Sequence, residues 1–150
     1  MGTVAAVRPA RAEDLARVAE LEIFNYRLNF YPIFRYDPFY FNELQVPSRM
    51  EHYRPRLDTL WVYDDGTVKG FFQAEDRELK KLFVEPVLQG QGIGAALLAY
   101  AVDRCRVGTL WALEKNTRAI AFYRRHGFRL THDRKPEEDT EEYLVRLERP

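Results

Sequence analysis

The sequence has 150 residues, the common size of a single domain, and balances 23 lysines and arginines against 23 aspartates and glutamates. This balance leaves no basic excess for binding nucleic acid, and no apolar run approaches the roughly 20 residues of a membrane span. Cys105 is the only cysteine, which excludes an intramolecular disulfide and favours a reducing compartment. We therefore expect one cytoplasmic domain over residues 1–150, with no nucleic-acid, membrane or metal partner.

The first third of the chain predicts a strand, a helix and an aromatic segment. Residues 3–8 have the pattern of a short strand, and residues 14–26 place apolar side chains at helical spacing. Half of residues 24–41 are aromatic, and two prolines in this stretch favour short helical turns and loop. Residues 42–57 are polar and are predicted to be irregular.

The remaining sequence predicts six strands and two helices. The strands are expected at residues 59–63, 67–74, 77–84, 109–113, 128–132 and 143–147, and the helices at residues 92–104 and 116–126. An Asp-Gly turn joins the first two of these strands, and a charged loop at 133–142 joins the last two. The order predicts a mixed α/β domain with a mostly antiparallel central sheet and one strand–helix–strand unit.

The glycine-rich turn Gln89–Gly94 stands between a predicted strand and a helix, where free helical amides and the helix dipole favour an anion. A nucleotide P-loop is excluded because Ala95 and Ala96 follow Gly94 in place of Lys-Ser/Thr. A dinucleotide site is partly matched, with Glu114 near the position of a ribose-binding acid. Residues 85–89 count against it, since they separate the glycines from the strand.

A coenzyme A pyrophosphate site is the third interpretation. Residues 82–98 resemble motif A of the GNAT superfamily of N-acetyltransferases, with Gln89, Gly92 and Gly94 in the pattern Gln/Arg-x-x-Gly-x-Gly/Ala. The resemblance continues in motif B over residues 116–128. It implies a splayed sheet, acetyl-CoA as cosubstrate and direct transfer of an acetyl group to a primary amine.

The resemblance also implies which residues bind acetyl-CoA. They are Leu82, Phe83, Val84, Gln89, Gly90, Gln91, Gly92, Ile93, Gly94, Ala95, Asn116 and Tyr123. The Val84 amide is expected near the thioester oxygen. Many members carry a basic residue at the position of Gln91, so backbone amides would have the larger share in binding phosphate here. Asn116 is either a ligand of the pantetheine arm or the N-cap of the next helix, or both.

Two side chains are the catalytic candidates. Tyr123 lies at the position of the family's general acid, and a phenol stays protonated at neutral pH and can donate to a departing thiolate. The alternative is that Tyr123 only packs in the core. Glu78 is the candidate base, acting directly or through water, with Glu75 and Glu114 as alternatives. Glu78 would share a strand face with Leu82 and Val84 if no bulge intervenes, and the alternative is a salt bridge to Lys80.

The resemblance implies that the acceptor is a primary amine, and a small molecule, a peptide and a protein all remain open as its source. The segment after the first helix lines the acceptor pocket in the family, which makes Tyr26 and Tyr31 the candidate acceptor contacts. The same rings are also typical of core packing or of a homodimer interface. A rival function with the same fold is that of a non-catalytic acyl-CoA sensor.

Overall fold

In a computed structural model that describes residues 6–150, seven strands form one open sheet with helices on both faces. The strands are β1 Val7–Pro9, β2 Leu60–Asp64, β3 Val68–Glu75, β4 Glu78–Val84, β5 Thr109–Leu113, β6 Arg129–Pro136 and β7 Tyr143–Glu148. The helices are α1 Leu15–Asn25, α2 Tyr31–Phe34, α3 Val46–Tyr53, α4 Ile93–Arg104 and α5 Thr117–Arg125. The strand order is β1-β2-β3-β4-β5-β7-β6, and only β4 and β5 pair in parallel. This confirms the predicted mixed, mostly antiparallel sheet.

The two faces of the sheet bury separate hydrophobic clusters. Neighbouring residues of β3 alternate between them, because successive strand side chains point to opposite faces. Phe71 packs in the cluster that includes residues of α1, and Phe72 packs in the cluster that includes α4. Gly70 lets α4 approach β3 closely, since a Cβ there would lie 2.9 Å from Leu97 Cδ1. The site helix α4 is therefore held closely against β3, the strand next to β4.

The parallel strands β4 and β5 diverge soon after they begin. They are in register only at the pairs Glu78–Thr109 and Leu79–Leu110. By contrast, β5 pairs with β7 along its whole length. The rest of β4 therefore faces an open wedge on its β5 side, which confirms the expected splayed sheet.

A bulge at Lys80 changes which face each residue of β4 occupies. Gln73 is opposite Lys81 but Ala74 is opposite Leu79, so Lys80 is an extra residue. After the bulge, Leu82 and Val84 pack in the α4-side cluster and Phe83 packs on the α1 side. The register assigns Glu78 to the α1 side, so the bulge that the sequence left open does intervene, and Glu78 does not share a face with Leu82 and Val84.

The aromatic segment contains the predicted short helical turns. They are two π-helical stretches, Tyr26–Phe30 and Pro38–Glu43, with α2 between them. The helix α3, in contrast, lies where irregular chain was predicted. Its signals are a proline in the first turn and the spacing of Val46, Met50 and Tyr53, which favours one apolar face.

The edge of the sheet also differs from the sequence prediction. β6 continues to Pro136, into the predicted charged loop, because its exposed residues pair with β7. The predicted first strand is shifted, since β1 begins at Val7 and residues 3–5 lie outside the described part of the chain. No helix between residues 6 and 150 is long and apolar enough to cross a membrane.

Candidate functional site

The turn between β4 and α4 has the backbone shape that requires glycine. Gly90 has a φ of 88° and Gly92 a φ of 84°, in the left-handed region that side chains with a Cβ disfavour. An added Cβ at either position would meet no atom within 4 Å. Backbone conformation rather than lack of space therefore explains these two glycines, and the outer side of the turn is open to a ligand.

The first turn of α4 presents free backbone amides to this open side. Gly92 precedes the helix, and no side chain of residues 6–150 caps it. The first helical hydrogen bond runs from Ala96 N to Gly92 O at 3.0 Å. The amides of Ile93, Gly94 and Ala95 therefore have no helical acceptor, and the dipole adds positive potential. This end of α4 fits a pyrophosphate group.

The edge of β4 presents further backbone groups to the wedge. Glu85 N donates to Lys69 O on the β3 side at 2.8 Å. The N–H and C=O of one strand residue point to the same edge and those of the next residue to the other edge, so the backbone groups of Val84 and Leu82 face the wedge and those of Phe83 face β3. The Val84 carbonyl accordingly accepts a hydrogen bond from Asn25 Nδ2 at 3.0 Å. The wedge can thus pair with an extended ligand as a neighbouring strand would.

Asn25 connects α1, β4 and the glycine turn, and sequence reasoning missed it. It is 1% exposed. Its Nδ2 donates to the carbonyls of Leu21 and Val84, and its Oδ1 accepts from Gln89 Nε2 at 3.2 Å. The only sequence signal is an asparagine on the apolar side of an amphipathic helix, one turn after Leu21. The side chain of Gln89 is therefore held from within the protein.

Asn116 caps the N-terminus of α5. Its Oδ1 accepts a hydrogen bond from Ala119 N at 3.3 Å, which confirms the N-cap interpretation. Tyr123 lies farther along the same helix, and its half-buried ring packs against Phe122 and Phe128. Burial raises the pKa of Tyr123 above its ordinary value, so the phenol is protonated at neutral pH.

The candidate base Glu78 lies at the closed end of the wedge, opposite Thr109. Lys80 Nζ is 3.2 Å from its carboxylate, and the Glu78 side chain is 31% exposed. The salt-bridge interpretation is therefore confirmed, while water can still reach the carboxylate. Glu75 is exposed opposite Glu78, and Glu114 forms a two-pronged pair with Arg134 at 2.9 and 3.0 Å.

The aromatic segment reaches β4 through Tyr26. The Tyr26 ring packs edge-on against Phe83 with centroids 5.6 Å apart, and burial raises the pKa of its hydroxyl. Tyr31 lies farther out, where its ring contacts Tyr40 and its hydroxyl donates to Asp37 at 2.6 Å. The structure thus brings Tyr26, but not Tyr31, against the wedge strand.

Glu137, in the β6–β7 loop, lies near the same aromatic segment. Burial raises the pKa of Tyr40 to about 12, and the nearby Glu137 carboxylate adds to this shift. The same carboxylate also raises the pKa of Tyr26. The Glu137 carboxylate is therefore close enough to act on both hydroxyls, a proximity that sequence reasoning did not detect.

A buried ionic cluster supports the α1 face of β4. Glu22 is fully buried and contacts Arg49 Nε, the Tyr53 hydroxyl and, at 2.7 Å, Lys81 Nζ. Lys81 Nζ also lies 2.9 Å from the Tyr53 hydroxyl and 5.7 Å from the centre of the Tyr26 ring. Within residues 6–150, no group of three or more His, Cys, Asp or Glu side chains has the arrangement of a metal site.

These features define a splayed α/β domain with an anion cradle at the open end of a wedge, and comparison with known proteins identifies the family. The family described as "Acetyltransferase (GNAT) domain" matches residues 56–130, half of the chain. The chain belongs to the GNAT family, as the sequence predicted.

Curated relatives match over a shorter region. The peptidyl-lysine N-acetyltransferase YjaB of Salmonella typhimurium is 35% identical over 74 residues, which cover 48% of this chain and 51% of the relative. The peptidyl-lysine N-acetyltransferase YiaC of Escherichia coli is 39% identical over 72 residues, 47% of this chain and 49% of the relative. The chain thus spans about half the length of these relatives.

Solved structures share the fold over nearly the whole chain. Apo YjaB from Escherichia coli has a TM-score of 0.68 at 20% identity, and 95% of each chain is covered. The PaiA N-acetyltransferase of Thermoplasma acidophilum, solved with coenzyme A, has a TM-score of 0.66 at 18% identity, with 93% of this chain and 96% of that chain covered. At these identities the likeness concerns the fold alone.

Proposed function

We propose that the protein is an N-acetyltransferase that moves an acetyl group from acetyl-CoA directly to a primary amine. The main observation in its support is that the free edge of β4 is followed, after the glycine turn, by the uncapped amides of α4. The curated relatives are named peptidyl-lysine N-acetyltransferases, which makes a lysine side chain of a peptide or protein the first acceptor to test. Small-molecule amines are the second class.

In the proposed complex, backbone groups do most of the binding. The amides of Ile93, Gly94 and Ala95 bind the pyrophosphate, and Gly90, Gln91 and Gly92 shape the turn. Asn25 holds Gln89 beside it. The wedge-facing N–H and C=O of Leu82 and the N–H of Val84 are the strand's partners for the pantetheine arm and the thioester, and Asn116 at the start of α5 is a further polar contact.

The chemistry needs a proton acceptor, a proton donor and stabilisation of negative charge. Acetyl-CoA supplies an acetyl group activated as a thioester. The amides of Leu82 and Val84 face the wedge and are the candidate donors to the carbonyl oxygen, consistent with the expected role of Val84. Glu78 takes the proton from the amine through water, because its carboxylate is already paired with Lys80. Tyr123 Oη donates a proton to the leaving sulfur.

Two measurements on the intact chain test this function. Thermal unfolding with acetyl-CoA, coenzyme A or NAD shows which ligand stabilises the protein. Thiol release is then followed over a panel of lysine peptides and small amines. We expect stabilisation by acetyl-CoA and amine-dependent thiol release. Stabilisation without release on any amine would favour the acyl-CoA sensor, and a response to NAD alone would refute both functions.

A further inference from the structure

The guanidinium group of Arg49 is held in place by a hydrogen bond from one nitrogen, and its other two nitrogens are available to bind a ligand. Its Nε donates to the buried carboxylate of Glu22, and its Cζ lies 5.5 Å from the centre of the Tyr53 ring. Across residues 6–150, neither terminal nitrogen of Arg49 has a hydrogen-bond acceptor, and no buried side-chain nitrogen lacks one. Both terminal nitrogens therefore reach solvent, in the forked geometry that pairs with a carboxylate.

The cluster around Arg49 has more positive than negative charge. Within residues 6–150, Glu22 is the only carboxylate that pairs with Arg49 or Lys81. Its side chain is 0% exposed, whereas each of the two cationic side chains is 20% exposed. The negative partner is thus covered and the cations form the accessible surface. The same positive charge acts on His52, because burial together with Arg49 and Lys81 lowers the pKa of its imidazole. A bound anion would offset this excess charge.

The position of the cluster connects it to the acceptor side of the wedge. Lys81 is adjacent in β4 to Leu82, whose backbone N–H and C=O face the wedge. The cations are therefore next to the proposed transfer site along the strand. Lys81 Nζ also lies 5.7 Å from the centre of the Tyr26 ring, and that ring packs against Phe83 of the wedge strand. Through Glu22 and Lys81, Arg49 is therefore connected to the strand and the aromatic ring that border the proposed acceptor side of the wedge.

We infer that Arg49, supported by Lys81, binds a carboxylate of the acceptor, so that the acceptor is an amine with a carboxylate near its reacting nitrogen. This inference rests on the proposed acetyltransferase function. The carboxylate has two possible sources, the α-carboxylate of a free amino acid or an acidic residue beside a lysine in a peptide.

Matched acceptors test the inference and separate the two sources. One arm compares lysine with cadaverine and tyrosine with tyramine, pairs that differ only in the carboxylate. The other compares a lysine peptide flanked by glutamates with the same peptide flanked by glutamines. A charge-assisted pair contributes about 1.5–3 kcal/mol, so we expect kcat/KM to be about 10- to 100-fold higher for the carboxylated member of the preferred arm. Equal values within both arms, or a preference for the uncharged members, would overturn the inference.

Variants of Arg49 link the preference to this residue. Arg49→Met should reduce kcat/KM about 10-fold more for the carboxylated acceptor than for its matched partner. Arg49→Lys retains the charge that balances Glu22, and should keep the fold while losing part of the preference. Arg54→Met is the control, because Arg54 is exposed and paired with Glu51 at 3.3 Å. An equal loss on both acceptors in Arg49→Lys would contradict the assignment.

Failure of the inference is distinguishable from failure of the proposed function. If acetyl-CoA supports thiol release but carboxylated acceptors are not preferred, only the inference fails. If no amine supports release, the proposed function fails. Thermal unfolding with coenzyme A and each matched pair then decides the inference, and equal stabilisation by both members would refute it.

Discussion

At the scale of single residues, buried polar side chains hold separate elements of the site together. Asn25 joins α1 to the last carbonyl of β4 and to Gln89, and Glu22 joins α1 to α3 and β4. No buried side-chain nitrogen or oxygen in residues 6–150 lacks a hydrogen-bond partner. Because an unpartnered buried group costs about 1–3 kcal/mol, these complete networks favour one arrangement of the elements.

Tyr123→Phe tests the proposed acid. We expect kcat to fall about 100-fold or more while acetyl-CoA binding is unchanged, because the ring packing is kept and only the proton donor is lost. Since burial raises the pKa of Tyr123, the wild-type rate should not fall through loss of this proton until above pH ~10. The measurement is kcat against pH for both proteins.

Tyr100→Phe provides the matched control for that experiment. Tyr100 lies on α4 and packs against Phe72, so the change also removes a hydroxyl from a ring at the core. We expect no change in kcat. An unchanged rate in Tyr123→Phe across the pH range would instead assign Tyr123 to packing alone.

Glu22→Gln tests the buried ionic cluster. Burial would raise the pKa of Glu22, but Lys81 and Arg49 outweigh it and hold the pKa below the ordinary value of 4.5. A lowered pKa adds stability that is present above pH 4.5 and is lost as the pH falls through the folded-state value. We expect the variant to be about 3–5 kcal/mol less stable at pH 7, because two partly buried cations lose their partner.

Chemical denaturation at several pH values measures this difference, which should shrink below pH 4.5. Glu20→Gln is the control on the same helix, since Glu20 is 45% exposed and pairs with Arg17. We expect it to change stability by less than about 0.5 kcal/mol. A pH-independent difference for Glu22→Gln would show that the carboxylate is not charged in the folded protein.

At the scale of elements, the join between β4 and α4 combines a required backbone shape with a free helix end. Gly92 provides a left-handed residue directly before α4, while Gly94 lies in the first turn of the helix. An added Cβ at Gly94 would be 3.5 Å from Phe122 Cζ, an ordinary contact. The two glycines therefore have different physical reasons to be there.

Gly92→Ala and Gly94→Ala form a matched pair of variants. We expect Gly92→Ala to lose about 1–2 kcal/mol of stability through left-handed strain and to bind acetyl-CoA more weakly. Gly94→Ala should fold with equal or slightly greater stability, since alanine favours a helix over glycine. Thermal unfolding with and without acetyl-CoA measures both effects. Equal destabilisation by the two changes would contradict this distinction.

At the scale of the whole molecule, the sheet is two paired halves joined by two residue pairs. One half runs from β1 to β4 and the other contains β5, β7 and β6, with the wedge between them. The anion cradle lies beyond the open end, and the aromatic segment contacts β4 through Tyr26 and Phe83. A ligand in the wedge therefore contacts both halves of the sheet.

Amide hydrogen exchange tests the use of the wedge. We expect acetyl-CoA to slow exchange of the amide hydrogens of Leu82 and Val84, which face the wedge and lie beyond the last pair with β5. The amide hydrogens of Lys81 and Phe83 should exchange slowly in the free protein as well, because these N–H groups point toward β3. Protection confined to the first turn of α4 would show that the ligand binds only through its phosphates.

The sequence by itself determined the fold class, the family and the main elements of the site. Apolar spacing and the glycines at 90 and 92 are local properties, so the helix, the strand before it and the turn between them follow from neighbouring residues. The sequence also identified Tyr123, whose role remains a prediction, and correctly left open whether Glu78 pairs with Lys80.

Only the tertiary structure decided how the site is assembled. The depth of the wedge depends on where β4 and β5 stop pairing, and the bulge at Lys80 reverses the face of Glu78. The contact between Asn25 and Gln89 joins residues 64 positions apart, and that between Glu22 and Lys81 joins residues 59 apart. Each depends on how distant elements pack, because a side chain far along the chain supplies its partner, and no local pattern contains that information.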